Sequence, residues 1–309
     1  MYNVFIDGSA GTTGLKIVER LSARKDLNLI LLSEEKRKDL SARKEAINSC
    51  DLAFLCLPDA AAIEAVSLIE NEKVKVIDTS TAHRVNPAWA YGFPELKGLK
   101  EKIQNSKRIA NPGCHASGFI ALVSPLIDAG VMDKDAALTC FSITGYTGGG
   151  KKMIAEYEGA DKPTLYGAPR QYGLTQTHKH LPEMKEICGL NTLPIFCPIV
   201  ADFDRGMEVT VPLFKKDIKT DLAGVKEIYK NAYGGKLVRF KDCADEGGFL
   251  SSTSMRGRDD MEISVFGNDD RILLVSRFDN LGKGASGAAI QNMNILLGVE
   301  ETTGLNVGE

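Results

Sequence analysis

Five short apolar runs, Tyr2–Asp7, Leu27–Leu32, Leu52–Leu57, Lys73–Thr79 and Arg108–Ala110, alternate with helix-period segments at Leu15–Ala23, Ser41–Asn48 and Ala60–Asn71. Runs this apolar suit strands buried on both faces, and short strands separated by helices pair in parallel because a parallel partner needs a crossover. The first 113 residues therefore predict an α/β fold with a doubly wound parallel sheet. The chain then changes texture. Leu138–Gly145, Leu193–Val200, Met207–Phe214, Val238–Lys241, Met261–Gly267 and Arg271–Phe278 are longer and more alternating, and Gly267-Asn268-Asp269-Asp270 reads as a hairpin turn. This pattern predicts an α+β domain built on a mixed or antiparallel sheet. Gly282–Gly298 returns to a helical period, with Ala289, Ile290, Met293, Leu296 and Leu297 on one stripe.

Glycine is the compositional deviation, at 30 of 309 residues. Three of these glycines fall at the first strand–helix junction, in Gly8-Ser9-Ala10-Gly11-Thr12-Thr13-Gly14. Glycines at such positions allow a tight turn, close approach of backbone amides to a pyrophosphate, and close helix–sheet packing. The helix start adds unpaired amides and positive partial charge. Gly8, Ser9, Gly11, Thr12, Thr13 and Gly14 are thus candidate dinucleotide contacts in a Rossmann-type domain, although the spacing is G-x-x-G-x-x-G. The second strand bears on which dinucleotide binds. Ser33, Lys36 and Arg37 follow it and suit a 2′-phosphate, which favours NADP(H). Glu34 in the same loop is the feature an NAD site would use.

Nucleic acid is not an expected partner, because 38 basic residues against 41 acidic ones leave a net charge of −3. No apolar run approaches the ~20 residues that span a bilayer. The N-terminus lacks the basic region of a signal peptide. Seven cysteines without C-x-x-C spacing predict reduced thiols and a cytoplasmic location.

Among these cysteines, Cys114 stands apart. Asn111-Pro112-Gly113-Cys114-His115 joins a strand to a helical run, placing the sulfur in a first helical turn that favours a thiolate. Cys56, Cys140 and Cys197 lie in apolar strand-like runs and read as inert core. There are four histidines, His83, His115, His178 and His180. On an extended strand His178 and His180 would point the same way. A third and fourth metal ligand are lacking, so a nucleophile–base partnership with Cys114 fits the pair better than zinc. Arg84, at the carboxyl end of the fourth strand, and Arg205 are candidate forks for substrate anions. Arg256 and Arg258, flanked by Asp259 and Asp260, read as a solvated loop.

Asn111-Pro-Gly-Cys114, the Gly8/Gly11/Gly14 loop, His178-x-His180-x-Pro182-Glu183 and the tail from Asn280 to Asn294 resemble the short form of the N-acetyl-gamma-glutamyl-phosphate reductase family. This family lies within the aspartate-semialdehyde dehydrogenase-like superfamily. The resemblance implies a cysteine nucleophile at Cys114 and an acid/base from His178 or His180. It implies NADPH-dependent reduction of N-acetylglutamyl 5-phosphate through a thioester, in arginine biosynthesis. It further implies an NADP-binding domain of residues 1–113 plus 283–309, a catalytic and dimerisation domain of residues 114–282, and a homodimer or homotetramer. Gly282 and Gly284 would then return to the cofactor, and Gly148 and Gly149 would line the substrate site. His115 departs from the pattern, since an aromatic residue often follows the cysteine in this family. Two other readings remain: a reductase of another acyl phosphate, of the aspartate-semialdehyde dehydrogenase type, and a non-catalytic NADP-sensing protein.

Overall fold

The computed structural model describes residues 1–308, which divide into two compact units. The first comprises Met1–Pro112 and Ala285–Leu305, and the second Gly113–Gly284 with the tail from Asn306 onward. The tail thus departs from the expected division. Asn306 N–H donates to Asp259 and its carbonyl accepts from Asp259 N–H, both at 2.7 Å, which ties the tail to the second unit.

In the first unit the elements run β1 (Tyr2–Asp7), α1 (Thr12–Leu21), β2 (Leu27–Ile30), α2 (Leu40–Ser49), β3 (Leu52–Leu55), α3 (Asp59–Ser67), β4 (Lys75–Asp78), β5 (Ala90–Tyr91), α4 (Leu99–Gln104) and β6 (Arg108–Ala110). The six strands form one sheet in the order β2-β1-β3-β4-β6-β5, and every pairing is parallel. The order reverses outward from β1 and β3, the topology that puts a ligand crevice at the strands' carboxyl ends. The two-residue β5 and the single-turn α4 are too short for a periodic signature.

The second unit contains α5 (Cys114–Asp128), β7 (Thr139–Gly145), α6 (Gly150–Glu158), β8 (Arg170–Gln171), α7 (Leu181–Cys188), β9 (Ile195–Ala201), β10 (Met207–Phe214), α8 (Leu222–Ala232), β11 (Val238–Phe240), β12 (Met261–Gly267) and β13 (Arg271–Phe278). Its seven strands form a mixed sheet in the order β11-β12-β13-β10-β7-β9-β8. The turn after Gly267 joins β12 to β13 as the expected hairpin.

The buried helix α5 packs on one face of this sheet. Gly118 permits the contact, since a Cβ there would collide with Val209 of β10 and Ser276 of β13. Tyr229 and Tyr233 of α8 secure α5 by donating their hydroxyls to the Leu122 and Ala121 carbonyls.

After a π-helical turn at Gly282–Ser286, the chain ends its regular structure with α9 (Gly287–Leu297). This helix is buried along its whole length. Ala289, Ile290, Met293, Leu296 and Leu297 share one core with Val4, Ile6, Phe54, Ile77 and Ile109 of the parallel sheet, as the stripe predicted. Two of its last-turn carbonyls accept from Tyr2 Oη (Leu297, 3.1 Å) and Lys75 Nζ (Leu296, 2.6 Å). Helix ends leave carbonyls without intrahelical partners, and these donors satisfy them.

Candidate active site

The glycine-rich loop adopts the geometry its composition predicts. Gly8 has a φ of 82° and a side chain there would collide with the Cys56 carbonyl; one at Gly14 would collide with the Gly8 carbonyl. Gly11 N–H closes the turn on Gly8 O at 3.0 Å, and Thr12 then opens α1. The first-turn amides of α1 lack intrahelical acceptors, so the loop and helix start form a cradle for an anion. Ser33, Lys36 and Arg37 lie exposed in the turn after β2, where Arg37 pairs with Glu34 at 2.7 Å.

Cys114 is the first residue of α5, behind the N-cap Gly113, and is half-buried. The preceding amide is held from far along the chain: Gly113 N–H donates to Glu183 Oε1 at 2.7 Å. Glu183 sits in the first turn of α7 and is 1% exposed. The acid of the H-x-H-x-P-E segment therefore anchors the loop that leads into Cys114. His178 and His180 lie in the turn that enters α7 rather than on an extended strand, because Leu181 N–H bonds back to His178 O and starts the helix. Their rings remain together, with centroids 4.7 Å apart, and His178 Nδ1 accepts from the His180 backbone N–H at 3.2 Å.

His115 occupies the middle of this cluster. Its ring centroid is 5.8 Å from His178, 5.6 Å from His180 and 5.2 Å from Phe196. Nδ1 lies 2.6 Å from Ser142 Oγ on β7, and Nε2 lies 2.7 Å from the Tyr172 hydroxyl. A neutral imidazole has one donor and one acceptor nitrogen, and both are used here. Burial, with a smaller contribution from the charge of His178, lowers the His115 pKa to about 3. His115 is therefore an uncharged bridge between a strand and the Tyr172 loop. Burial and the nearby Cys114 raise the Tyr172 phenol above its ordinary value.

Other candidates are distributed as follows. Arg205 lies in a loop docked on the start of the Tyr146–Gly149 turn, through Tyr146 N–H to Phe203 O and Thr147 N–H to Asp204 O. Its guanidinium is loosely placed, 3.5 Å from Asp204 and 3.9 Å from Asp279. Asn280 links the two loops, accepting from Gly206 N–H and donating to Thr147 Oγ1. Gly148 and Gly149 are exposed in this turn. Gly284 sits between Asp279 and Cys114, where a Cβ would lie 3.0 Å from that of Cys114; a Cβ on Gly282 would collide with the Arg258 carbonyl. Both glycines belong to the second unit, and these contacts account for their identity.

Arg84, expected to fork onto a substrate anion, instead donates to the Asn111 and Thr79 carbonyls and ties the ends of β6 and β4. Arg258 is likewise no solvated loop residue, since it pairs with the buried Asp260. Arg256 is exposed and bonds Asp204. Cys140 is buried and Cys56 half-buried with its sulfur turned inward; desolvation drives the Cys56 thiol up to about 12 and that of Cys140 higher still. Cys197, also read as core, is half-buried. Tyr172 and Ser142 carry no sequence signal as isolated polar residues, and only the fold reveals that they bracket His115. Among the described residues no group of three or more His, Cys, Asp or Glu is placed to hold a metal ion.

Residues 3–106 match the family model described as the NAD binding domain of semialdehyde dehydrogenase, and residues 114–280 match its dimerisation domain. An N-acetyl-gamma-glutamyl-phosphate reductase of Brucella ovis is 45% identical over 305 residues, covering 96% of this chain and 98% of that protein. N-acetyl-gamma-glutamyl-phosphate reductase 2 of a Nostoc species is 43% identical, covering 98% of each. Among solved structures, aspartate semialdehyde dehydrogenase II of Vibrio cholerae has a TM-score of 0.72 at 18% identity, covering 96% of this chain and 98% of its own. The aspartate semialdehyde dehydrogenase of Candida albicans with NADP has a TM-score of 0.68 at 14% identity, covering 96% and 98%. These structural likenesses concern the fold.

The depressed His115 pKa sets a sign for acid stability. Below 6.5 the unfolded chain takes up a proton that the folded imidazole refuses until about 3, so folding free energy is lost as pH falls through that window. His115→Phe removes this titration. The slope of stability against pH, from urea unfolding between about pH 7 and pH 4, should be shallower in the variant by up to one proton; equal slopes would contradict a buried neutral imidazole.

Proposed function

This chain belongs to the N-acetyl-gamma-glutamyl-phosphate reductase family, and from that membership we propose that it reduces N-acetylglutamyl 5-phosphate to N-acetylglutamate 5-semialdehyde, releasing phosphate, in arginine biosynthesis. The observation that carries this reading is the Glu183–Gly113 hydrogen bond. It joins the segment bearing both imidazoles to the residue before a cysteine that begins a helix, the constellation acyl transfer through a thioester requires.

The first unit's loop fits a dinucleotide, because Gly8 and Gly14 leave room where any Cβ would meet backbone. Gly8, Gly11, Gly14 and the start of α1 would hold the pyrophosphate, with Ser9, Thr12 and Thr13 supplying hydroxyls. NADPH, when bound, supplies the hydride that reduces an acyl group.

In the second unit the Cys114 sulfur attacks the acyl carbon. The tetrahedral intermediate expels phosphate and leaves a thioester on Cys114. As the thioester carbon is reduced, negative charge develops on its oxygen. The first-turn amides of α5 stabilise that oxygen, and His178 gives it a proton. His178 is the better proton donor of the pair: it is half-exposed, where an imidazolium keeps part of its hydration, whereas His180 is buried. When the carbonyl reforms, the imidazole recovers the proton and the C–S bond breaks. Arg205, loosely paired and beside the Gly148-Gly149 turn, is the residue for a substrate anion.

Lys36 and Arg37 recognise the 2′-phosphate of NADP(H), with Ser33 beside them. The protein is a cytoplasmic homodimer through the open face of the mixed sheet. There Phe141 of β7 and Ile195 of β9 are 44% and 60% exposed, joined by Phe214 and Leu273. An apolar strip of this kind marks an interaction surface.

Three outcomes check these assignments. With phosphate, NADP and N-acetylglutamate 5-semialdehyde the enzyme should run in reverse, and Cys114→Ser should abolish both directions and the acyl adduct seen by mass spectrometry of quenched enzyme. Turnover of that variant near wild type would end the covalent mechanism. Arg37→Ala should raise the Kd for NADPH about tenfold, on the order of 1.4 kcal/mol, and that for NADH far less. Ile195→Asp should convert the dimer to a monomer in analytical ultracentrifugation.

A further inference from the structure

We infer that Gln176 is a positioning residue for the His178 loop, acting as a side-chain substitute for a missing strand pair. The inference rests on the reading that His178 carries the proton. Strands β8 and β9 pair antiparallel, with Arg170 opposite Val200 and Gln171 opposite Ile199. Tyr172 N–H extends the ladder to Pro198 O at 3.0 Å. Antiparallel pairing exchanges hydrogen bonds at every second residue, so a continued β8 would offer the Leu174 backbone to Phe196. The chain does not continue. Gly173 turns with φ 63°, Leu174 is thrown into solvent at 74% exposure, and the backbone amide of Gln176 bonds back to Gly173 O.

The two polar groups of Phe196 are satisfied by the Gln176 carboxamide. Nε2 donates to Phe196 O at 2.7 Å, and Oε1 accepts from Phe196 N–H at 2.9 Å. One side chain reproduces both bonds of the absent residue. It does so from a φ of 56°; among the described residues only Cys243 shares positive φ without being glycine. Such a conformation in a residue other than Gly, Asn or Asp costs free energy and persists where surrounding contacts demand it.

The clamped residue is also the floor of the histidine cluster. The Phe196 ring is 5.1 Å from His178 and 5.2 Å from His115. Gln176 thus releases the backbone to form the His178 turn while keeping that turn registered on β9. Asparagine tolerates the same φ, but its side chain is one methylene shorter and does not span both groups. Glutamate keeps the acceptor and loses the donor.

Gln176→Gly is the informative variant, because glycine adopts this φ without strain and only the clamp is lost. Gln176→Glu should behave similarly. Relative to wild type, kcat for NADPH-dependent reduction of the acyl phosphate should fall about 10- to 100-fold. The KM for NADPH and the rate of Cys114 alkylation by iodoacetamide should stay within about twofold. The His178 ring signals in an imidazole NMR spectrum should shift in both variants. Unchanged kcat, or alkylation falling in parallel with kcat, would overturn the inference. If wild type fails to reduce the acyl phosphate, the proposed function is what fails. The His178 signals then decide alone: a shift upholds the clamp, and superposable signals refute it.

Discussion

The Glu183–Gly113 hydrogen bond is the constraint on which the site depends. A carboxylate with almost no solvent exposure must have its lone pairs satisfied, and a buried amide must have an acceptor. Each group meets the other's requirement. The bond connects positions separated by 70 residues and therefore fixes α7 against the start of α5. With it in place, the turn before α7 delivers two imidazoles beside His115, the second residue of α5.

Strand β7 connects this interior chemistry to the protein's outer surface. Side chains alternate across a strand, so Cys140, Ser142 and Thr144 face α5 while Phe141 and Ile143 face the other way. Ser142 bonds His115, and its immediate neighbour Phe141 belongs to the open apolar strip. The polarity of His115 follows from its site. A protonated ring would place a buried positive charge between two hydroxyls that offer no negative charge in return, so the ring stays neutral and serves as a joint.

Much of this is legible in the amino-acid sequence. The parallel sheet, the glycine cradle, Cys114 at a helix start, the hairpin at Gly267 and the stripe of α9 all follow from local periodicity and turn chemistry. The histidine pair is legible in the sequence, but the element that carries it is not. Its alternating spacing mimics a strand, while the helix that follows begins at Leu181 through a proline and a glutamate whose partner lies far upstream. For Arg84 the sequence shows the position at a strand end and not the two carbonyls it serves. Tyr172, Ser142 and Gln176 gain meaning only from tertiary neighbours. Of these, Gln176 was the least accessible, since its partners are backbone atoms of Phe196 and leave no trace in residue identity.

The division of the chain has a consequence for its synthesis. The parallel sheet draws part of its core from α9, which the ribosome makes only after the whole of Gly113–Gly284 has emerged. Until then Val4, Ile6, Ile77 and Ile109 lack one wall of their packing. At ~5–20 residues per second, that wait lasts on the order of ten seconds or more. The second unit, apart from its short tail, is contiguous and can condense first. The nascent polypeptide thus carries an unfinished parallel-sheet core for the time it takes to make the intervening residues, with Val4, Ile6, Ile77 and Ile109 still short of their α9 partners.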